Sequence, residues 1–356
     1  MNQQELSSEL WKQPKRFHNA WKLMMGEIQP ELAKTPFEEI ATWGKARLLK
    51  YSPKDKAKDS PILMIPSIIN KYYVLDLRPG QSYVEYLVNQ GQTVYLLDWG
   101  TPGPQDRYLT LEDHVLRFIG AAVRTACKDS GKAKVHLMGY CVGGTFAILY
   151  AALRPQKVAS LIALTAPVNF HDEGLLSCWA SSGHLDIQKL ADQMGSIPAD
   201  FLQSSFTMLM PMASPQKYRT LAEKLWDEDF LDKFLSLETW LNDNISFPGA
   251  TYVEYIKQLY ENNELIKGTF SIGKEVVNLA SITMPVITVT ASQDHIVPPA
   301  SAALLHETVA SKDKQLLALK GGHIGITVGS RAKEGLYAHT AQWLEKHPCP
   351  DQRKVS

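Results

Sequence analysis

Short apolar runs rich in β-branched residues recur along this chain and alternate with helical patterns. That alternation limits the fold more than any other feature. Runs at residues 62–65, 93–97, 135–138 and 159–164 come first, and runs at 286–290 and 316–319 follow much later. Each is bounded by turn residues, the pattern of strands buried on both faces of a sheet. Helical patterns at 111–128, 145–153 and 301–309 lie between them. Strands alternating with helices imply a mostly parallel sheet flanked by helices, with right-handed crossovers, so the fold class is α/β. The alternation stops at about residue 169 and resumes near 282. The stretch between is rich in Leu, Met, Phe and Trp, patterned as helix, and too long for a loop. It reads as a largely helical insertion that caps the sheet.

This gives an expected layout: a helical N-terminal arm over 1–50, a core over 51–168 and 282–346, a cap insertion over 169–281, and a flexible tail over 347–356. In the arm, Thr35-Pro36-Phe37-Glu38 has the form of a helix start, with Thr35 as cap, Pro36 in the first turn and Glu38 closing a capping box. Trp11, Phe17, Trp21, Leu23 and Met24 recur at about helical spacing. They either pack on the chain's own core or form a docking surface for a second protein.

Length and charge narrow the classes. At ~150 residues per domain, 356 residues make about two domains, or one large α/β domain with an insertion. The 37 Lys+Arg balance 37 Asp+Glu, which argues against nucleic acid as the main partner, since phosphate neutralisation needs a basic face. Weak self-repulsion also makes association with copies or partners easier. The first residues lack an apolar stretch and do not read as a secretory signal. The longest apolar runs, at 62–69 and 158–168, fall short of the ~18 residues that span a bilayer. Cys127, Cys141, Cys178 and Cys349 show no paired spacing. Without a signal for export, they read as free thiols in a reducing, cytoplasmic setting.

The sharpest motif is Gly139-Tyr140-Cys141-Val142-Gly143-Gly144, which follows a strand pattern and opens a helical one. That is the strand–turn–helix context of a nucleophile elbow, with Cys in place of Ser, and it points to the α/β-hydrolase fold. A tight turn strains the nucleophile's backbone, and flanking glycines let strand and helix approach. The helix N-terminus favours an anion at the thiol, and the Val142 N–H points where an oxyanion would form. Chance yields such a pattern on the order of once in a thousand chains of this composition.

In this fold the chain order is nucleophile, acid, histidine. Asp294, just past the run at 286–290, is placed for the acid. His323, in the glycine-rich Lys320-Gly321-Gly322-His323-Ile324-Gly325 past the last run, is placed for the base. His136 lies inside a strand pattern, and His114, His306 and His339 lie on helical ones, so these read as structural. His295 either lines the ligand channel as a substrate-binding residue or serves only its loop. The loop Pro66-Ser67-Ile68-Ile69-Asn70 should supply the second oxyanion N–H, from Ile68 or Ile69, with Ile69 the choice. Asp76-Leu77-Arg78-Pro79-Gly80 reads as a turn and Asp98 as a structural cap. No metal-ligand spacing and no phosphate-binding loop is present, so neither a metal nor a cofactor is expected.

At these residues the chain resembles the short catalytic subunit of two-component polyhydroxyalkanoate synthases, PhaC, of class III/IV type. The segments IINKYYVLDLRPG, YLLDWGTPG, GYCVGGT, SQDHIVPP and GGHIG carry the resemblance over about residues 30–346. The GYC-x-GGT wording is closest to the Bacillus-like class IV branch. The resemblance implies that Cys141 is acylated, that His323 is its base, and that Asp294 completes the set and helps activate the 3-hydroxyl of the incoming unit. It implies (R)-3-hydroxyacyl-CoA as substrate, short side chains, a second synthase subunit (PhaR- or PhaE-like), a homodimer, and a place at the polyester granule surface.

The chemistry is coherent. A thiolate exchanging one thioester for another works near energetic balance, and the acyl-enzyme stays reactive towards an alcohol. A second unit's hydroxyl then makes an ester, provided water is kept out, which a large apolar cap does. The alternative is a Cys-dependent α/β-hydrolase, dienelactone hydrolase-like or a thioesterase. A non-catalytic granule-coating protein is a third reading, which an intact Cys/Asp/His set disfavours.

Overall fold

The apolar runs condense into one eight-stranded sheet in the computed structural model of the chain, which describes residues 3–352 apart from 56, 59, 184 and 212. Its strands are β1 (Glu38–Trp43), β2 (Ala46–Tyr51), β3 (Ile62–Ile65), β4 (Val94–Asp98), β5 (Val135–Tyr140), β6 (Val158–Leu164), β7 (Val286–Ala291) and β8 (Lys314–Leu319). Their spatial order is β1-β2-β4-β3-β5-β6-β7-β8. Strands β3 to β8 run parallel, and β1 and β2 join antiparallel at one edge. Every residue of β3, β4, β5 and β7 is buried, as their continuous Val, Ile and Leu require of strands covered on both faces.

Helix α1 covers Gln3–Met24, α2 Tyr83–Asn89, α3 Gly120–Ser130 and α4 Val142–Leu153. Ser82 caps α2 by accepting the Glu85 N–H at 2.8 Å. Between β6 and β7 the chain forms α5 (Leu175–Ser181), α6 (Ile187–Met194), α7 (Ala199–Leu209), α8 (Ala213–Lys224), α9 (Glu228–Asn242), α10 (Gly249–Glu254) and α11 (Glu264–Lys267). Helix α10 runs on as a wider turn through Tyr255–Glu261. Two asparagines tie the exit of this helical insertion to its return: Asn263 Nδ2 donates to Asn169 Oδ1 at 2.8 Å, and Asn263 Oδ1 accepts the Phe170 N–H at 3.1 Å. Helices α12 (Pro299–Thr308), α13 (Gly325–Val328) and α14 (Ala338–Lys346) complete the chain.

Two expectations are corrected. Residues 38–51 are a hairpin, not a helix. Trp43-Gly44-Lys45 turns through Gly44 at φ 63°, and Leu48, Leu49 and Tyr51 are buried against the sheet. Thr35 does not cap a helix; its hydroxyl donates to Asp76 Oδ1 at 2.6 Å. The hairpin gives the sheet an edge and a core face that an isolated helix could not fill, so tertiary packing overrides the local capping signal. The tail is also fastened as far as residue 352. His347 Nε2 sits 2.9 Å from Asp313 Oδ2, Cys349 is buried, Ala133 N–H donates to the Pro350 carbonyl at 2.8 Å, and Lys132 pairs with Asp351 at 2.6 Å. Residues 1–2 and 353–356 of the expected arm and tail lie outside the described residues.

The motif Asp76–Arg78 is more than a turn. Asp76 accepts from both Thr35 and Ser82, and Arg78 reaches Asp232 of α9 at 2.7 Å, bracing the sheet's loops to the insertion. Asp98 is the structural group expected: it pairs with Arg47 at 2.6 Å and accepts the Gly100 N–H at 2.9 Å.

Candidate active site

Cys141 stands in the turn between β5 and α4, at the carboxyl edge of the parallel strands, where open α/β sheets place their ligands. Its backbone is at φ 56°, ψ −127°, a conformation L-residues rarely adopt. The strain persists because the surroundings over-determine it. Cys141 N–H donates to the Leu164 carbonyl at 3.0 Å, and its own carbonyl accepts Gly144 N–H at 2.8 Å. The glycines are sterically required. A Cβ on Gly143 would sit 2.1 Å from the Pro66 carbonyl oxygen, and one on Gly139 would sit 2.5 Å from the Gly143 carbonyl oxygen. Val142 begins α4, where an N–H has no preceding helical carbonyl to bond.

The expected acid and base meet. His323 Nδ1 lies 2.7 Å from Asp294 Oδ2, with both side chains buried. Asp294 Oδ1 accepts the N–H groups of Ile296 and Val297, both at 2.9 Å, so its carboxylate is anchored in its own turn. Burial by itself would lower the His323 imidazole. The charge of Cys141, the hydrogen bond and charge of Asp294, and a hydrogen bond to Cys141 outweigh burial and push it up to about 10. The Tyr140 ring lies over the imidazole at 5.2 Å and 29°, and its hydroxyl donates to the His323 carbonyl at 3.4 Å.

Two cavities meet at Cys141. One, of about 300 Å³, is lined by Tyr140, Cys141, His323 and Asn70 from the sheet's loops, and by Gln203, Lys217 and Trp240 from the helical insertion. The other, of about 160 Å³, is walled by Val142, Trp179, Phe201, Phe247, Tyr252, Tyr255 and Tyr260. Ile69, Phe206 and Ile296 border both. Ile69 is thus beside the thiol; its N–H rests 3.3 Å from Ser67 Oγ.

His295 is not brought to the site. It is exposed and lines neither cavity. The Asp294 carboxylate turns inward on the Ile296 and Val297 amides, which leaves the intervening side chain on the outer face of the turn. Its neighbour Ile296 lines the site instead. Sequence reasoning also missed Tyr140, whose position inside the Gly139–Gly144 motif was an available signal, and the insertion residues Gln203, Phe206, Lys217 and Tyr255, which no motif marks. Among the described residues no group of three or more His, Cys, Asp or Glu is placed to hold a metal, and no helix is long and apolar enough to cross a membrane.

Sheet order, elbow and buried His–Asp pair define an enzyme of the α/β-hydrolase fold. A family model described as alpha/beta hydrolase fold matches residues 61–329, and one described as poly-beta-hydroxybutyrate polymerase (PhaC) N-terminus matches residues 17–87. The chain is 35% identical to the poly(3-hydroxyalkanoate) polymerase subunit PhaC of Synechocystis sp., over 90% of this chain and 87% of that one. It is also 35% identical to that of Allochromatium vinosum, over 88% and 89%. Against the same-named subunit of Haloferax mediterranei identity is again 35%, over 88% of this chain but 64% of that longer one. The chain belongs to the PhaC family of poly(3-hydroxyalkanoate) polymerases, and its function is that of the family. Solved structures of a yeast monoglyceride lipase variant (TM-score 0.55, 16% identity, 90% of this chain and 97% of that one) and of Est1E from Butyrivibrio proteoclasticus (0.53, 15%, 87% and 98%) share the fold.

Proposed function

We propose that Cys141 carries the acyl group during polymerisation, with His323 as its base and Asp294 as the residue that orients and charges His323. The observation that carries this reading is one arrangement: a thiol on a strained elbow, next to a buried His–Asp pair, opening into two cavities. The Cys141 thiolate attacks the thioester carbon of an (R)-3-hydroxyacyl-CoA. The developing oxyanion is held by the Val142 N–H and by the Ile69 N–H, turned from Ser67. As the C–S bond to CoA breaks, protonated His323 gives its proton to the leaving thiolate. The 3-hydroxyl of another unit then yields its proton to His323 and attacks the acyl-Cys carbon. An ester forms and the Cys141 thiolate is restored. Every proton has a residue to hold it, so the scheme calls for no metal and no cofactor beyond the CoA thioester itself. The helical insertion is the cap that keeps water from the acyl-enzyme.

A partner belongs to this reading. Helix α1 is built inside out: Asn19, 4% exposed, donates to the Leu225 carbonyl at 2.7 Å, while Trp11, Phe17 and Met24 are 74%, 78% and 81% exposed. A row of apolar side chains held outward suits a second synthase subunit, a second copy, or the surface of a polyester granule in the cytoplasm. The relatives' designation as subunits supports the first. The test is incubation with (R)-3-hydroxybutyryl-CoA, with and without a PhaR- or PhaE-like subunit, following CoA release and turbidity. Polymer and CoA together are expected. Free 3-hydroxy acid without polymer would instead make the protein a thioesterase.

A further inference from the structure

The loop between β3 and the turn at Tyr72–Leu75 is held from two directions. The sheet holds its start: the Pro66 carbonyl accepts Trp99 Nε1 at 3.0 Å and lies against Gly143 of the elbow. From Ile69 onward the insertion holds it. Ile245 N–H donates to the Ile69 carbonyl at 3.1 Å. Asn70 and Asn244 form an isolated antiparallel bridge, and the Asn70 side-chain amide donates to Asn244 Oδ1. Trp240 Nε1 donates to the Lys71 carbonyl at 2.8 Å, and the Tyr73 hydroxyl to Asp243 Oδ2 at 2.9 Å. Asn244 is itself fixed, its Nδ2 donating to the Leu241 carbonyl at 2.8 Å and to Gln203 Oε1 at 2.9 Å. Trp240 and Ile245 are each 2% exposed, so water competes little for their bonds. The connector at 243–245 lies between α9 and α10, outside both helices.

These bonds converge on one peptide. A peptide unit is rigid, and its N–H turns only with the dihedrals on either side. With Pro66 held before it and the Ile69 carbonyl held after it, the Ile68–Ile69 peptide keeps little freedom beyond a pivot in place. That pivot swings the Ile69 N–H off Ser67 Oγ, 3.3 Å away, without shifting the chain. We infer that the connector at 243–245 is a positioning element for the reaction, with Asn244 its key residue: it keeps the Ile69 N–H within reach of the oxyanion that forms at the Cys141 acyl carbon. Freed from Asn244, the loop samples other arrangements, and the donor is out of place when charge develops. Asn244 also grips α7 through Gln203, so the seating of the insertion and the readiness of the donor are linked. The inference rests on Cys141 as the acylated residue and Ile69 as a donor, and the test separates its failure from theirs.

The measurement is acylation of Cys141 by (R)-3-hydroxybutyryl-CoA in the full chain, read by CoA release and the mass of the adduct, beside alkylation of the same thiol by iodoacetamide. Alkylation displaces iodide and forms no oxyanion, so it reports the thiol and its His–Asp pair alone. Asn244→Ala should slow acylation at saturating substrate about 10- to 100-fold, with KM within about threefold and alkylation within about twofold. Asn70→Ala, on the loop side of the same bond, should do likewise. The double variant should be no more than about twofold slower than the slower single one. Unchanged acylation, equal slowing of acylation and alkylation, or full multiplication of the two single effects would each overturn the inference. Replacing the Ile68–Ile69 amide by an ester, which lacks the N–H, tests the donor itself. Unchanged acylation there would overturn Ile69 as donor, and the inference with it. Slowing there without slowing in Asn244→Ala would overturn the inference alone. Acylation in the unmodified chain at a residue other than Cys141 would overturn the proposed mechanism instead.

Discussion

The loops of the sheet and the helices of the insertion face the same thiol, yet they serve it in opposite ways. The sheet side is specified to fractions of an ångström. Gly139 and Gly143 leave no room for a methyl group, and the Asp294 carboxylate is pinned by two amides. The insertion side contributes bulk: Trp179, Phe201, Phe206 and Tyr252 fill space around the cavities, and Lys217 is held by Glu238 rather than by the reacting groups. On the proposed mechanism, reaction belongs to the sheet edge, and choice of acyl group is expected to belong to the helices. Variants on the two sides should separate cleanly if this is right.

The largest effect is expected at the thiol. Cys141→Ala should abolish CoA release, whereas Cys127→Ala and Cys349→Ala, both buried away from the cavities, should retain it. Full turnover in Cys141→Ala would end the site assignment. Gly143→Ala comes next. Alanine is the better helix former, but its methyl would meet the Pro66 carbonyl oxygen, and the elbow should lose about 3 kcal/mol in denaturant unfolding. Unchanged stability there would show that the elbow is looser than described.

Asp294→Asn should slow turnover about 10²- to 10³-fold and alter the pH profile. Folded His323 holds its proton more tightly than the unfolded chain's histidine. The stability it contributes is therefore complete below the ordinary value of 6.5 and is lost as pH rises through about 10. In Asp294→Asn that loss should come at lower pH, and iodoacetamide alkylation of Cys141 at neutral pH should slow. A pH profile of unfolding that matches the unmodified chain would break the link between Asp294 and His323. On the insertion side, Phe206→Ala should favour longer acyl side chains about tenfold while leaving alkylation of Cys141 intact. If alkylation fell as well, the division between the two sides would fail. The smallest effect on the fold belongs to Trp11→Ala with Trp21→Ala. Stability should stay within about 0.5 kcal/mol, with sedimentation on polyester particles reduced. Unreduced sedimentation would remove α1 from the granule contact.

The same division governs what could be read before folding. The sheet side was legible because its demands are local: a strand, a glycine-flanked nucleophile and a helix must be adjacent in sequence, and Asp294 and His323 each follow a strand. The insertion side was not. Phe206 and Tyr255 are ordinary aromatic residues on helices, and only tertiary packing brings them to the thiol. His295 was misplaced because a one-residue step from Asp294 reverses which way a side chain faces. The hairpin at 38–51 was hidden by a capping pattern that the sheet edge overrode.

The fastening of residues 347–352 has a practical consequence. Ala133, just before β5, and Asp313, just before β8, hold this segment at the starting ends of the parallel strands, and Gln352 adds bonds to the Gly131 and Cys127 carbonyls. Cys141 and His323 lie past the finishing ends. A linker or reporter joined after residue 352 therefore departs from the pole opposite the thiol. Cargo can be attached there without crowding the mouth of the site, whereas cutting the chain back to residue 346 would remove the bonds to Ala133 and Lys132 just before β5.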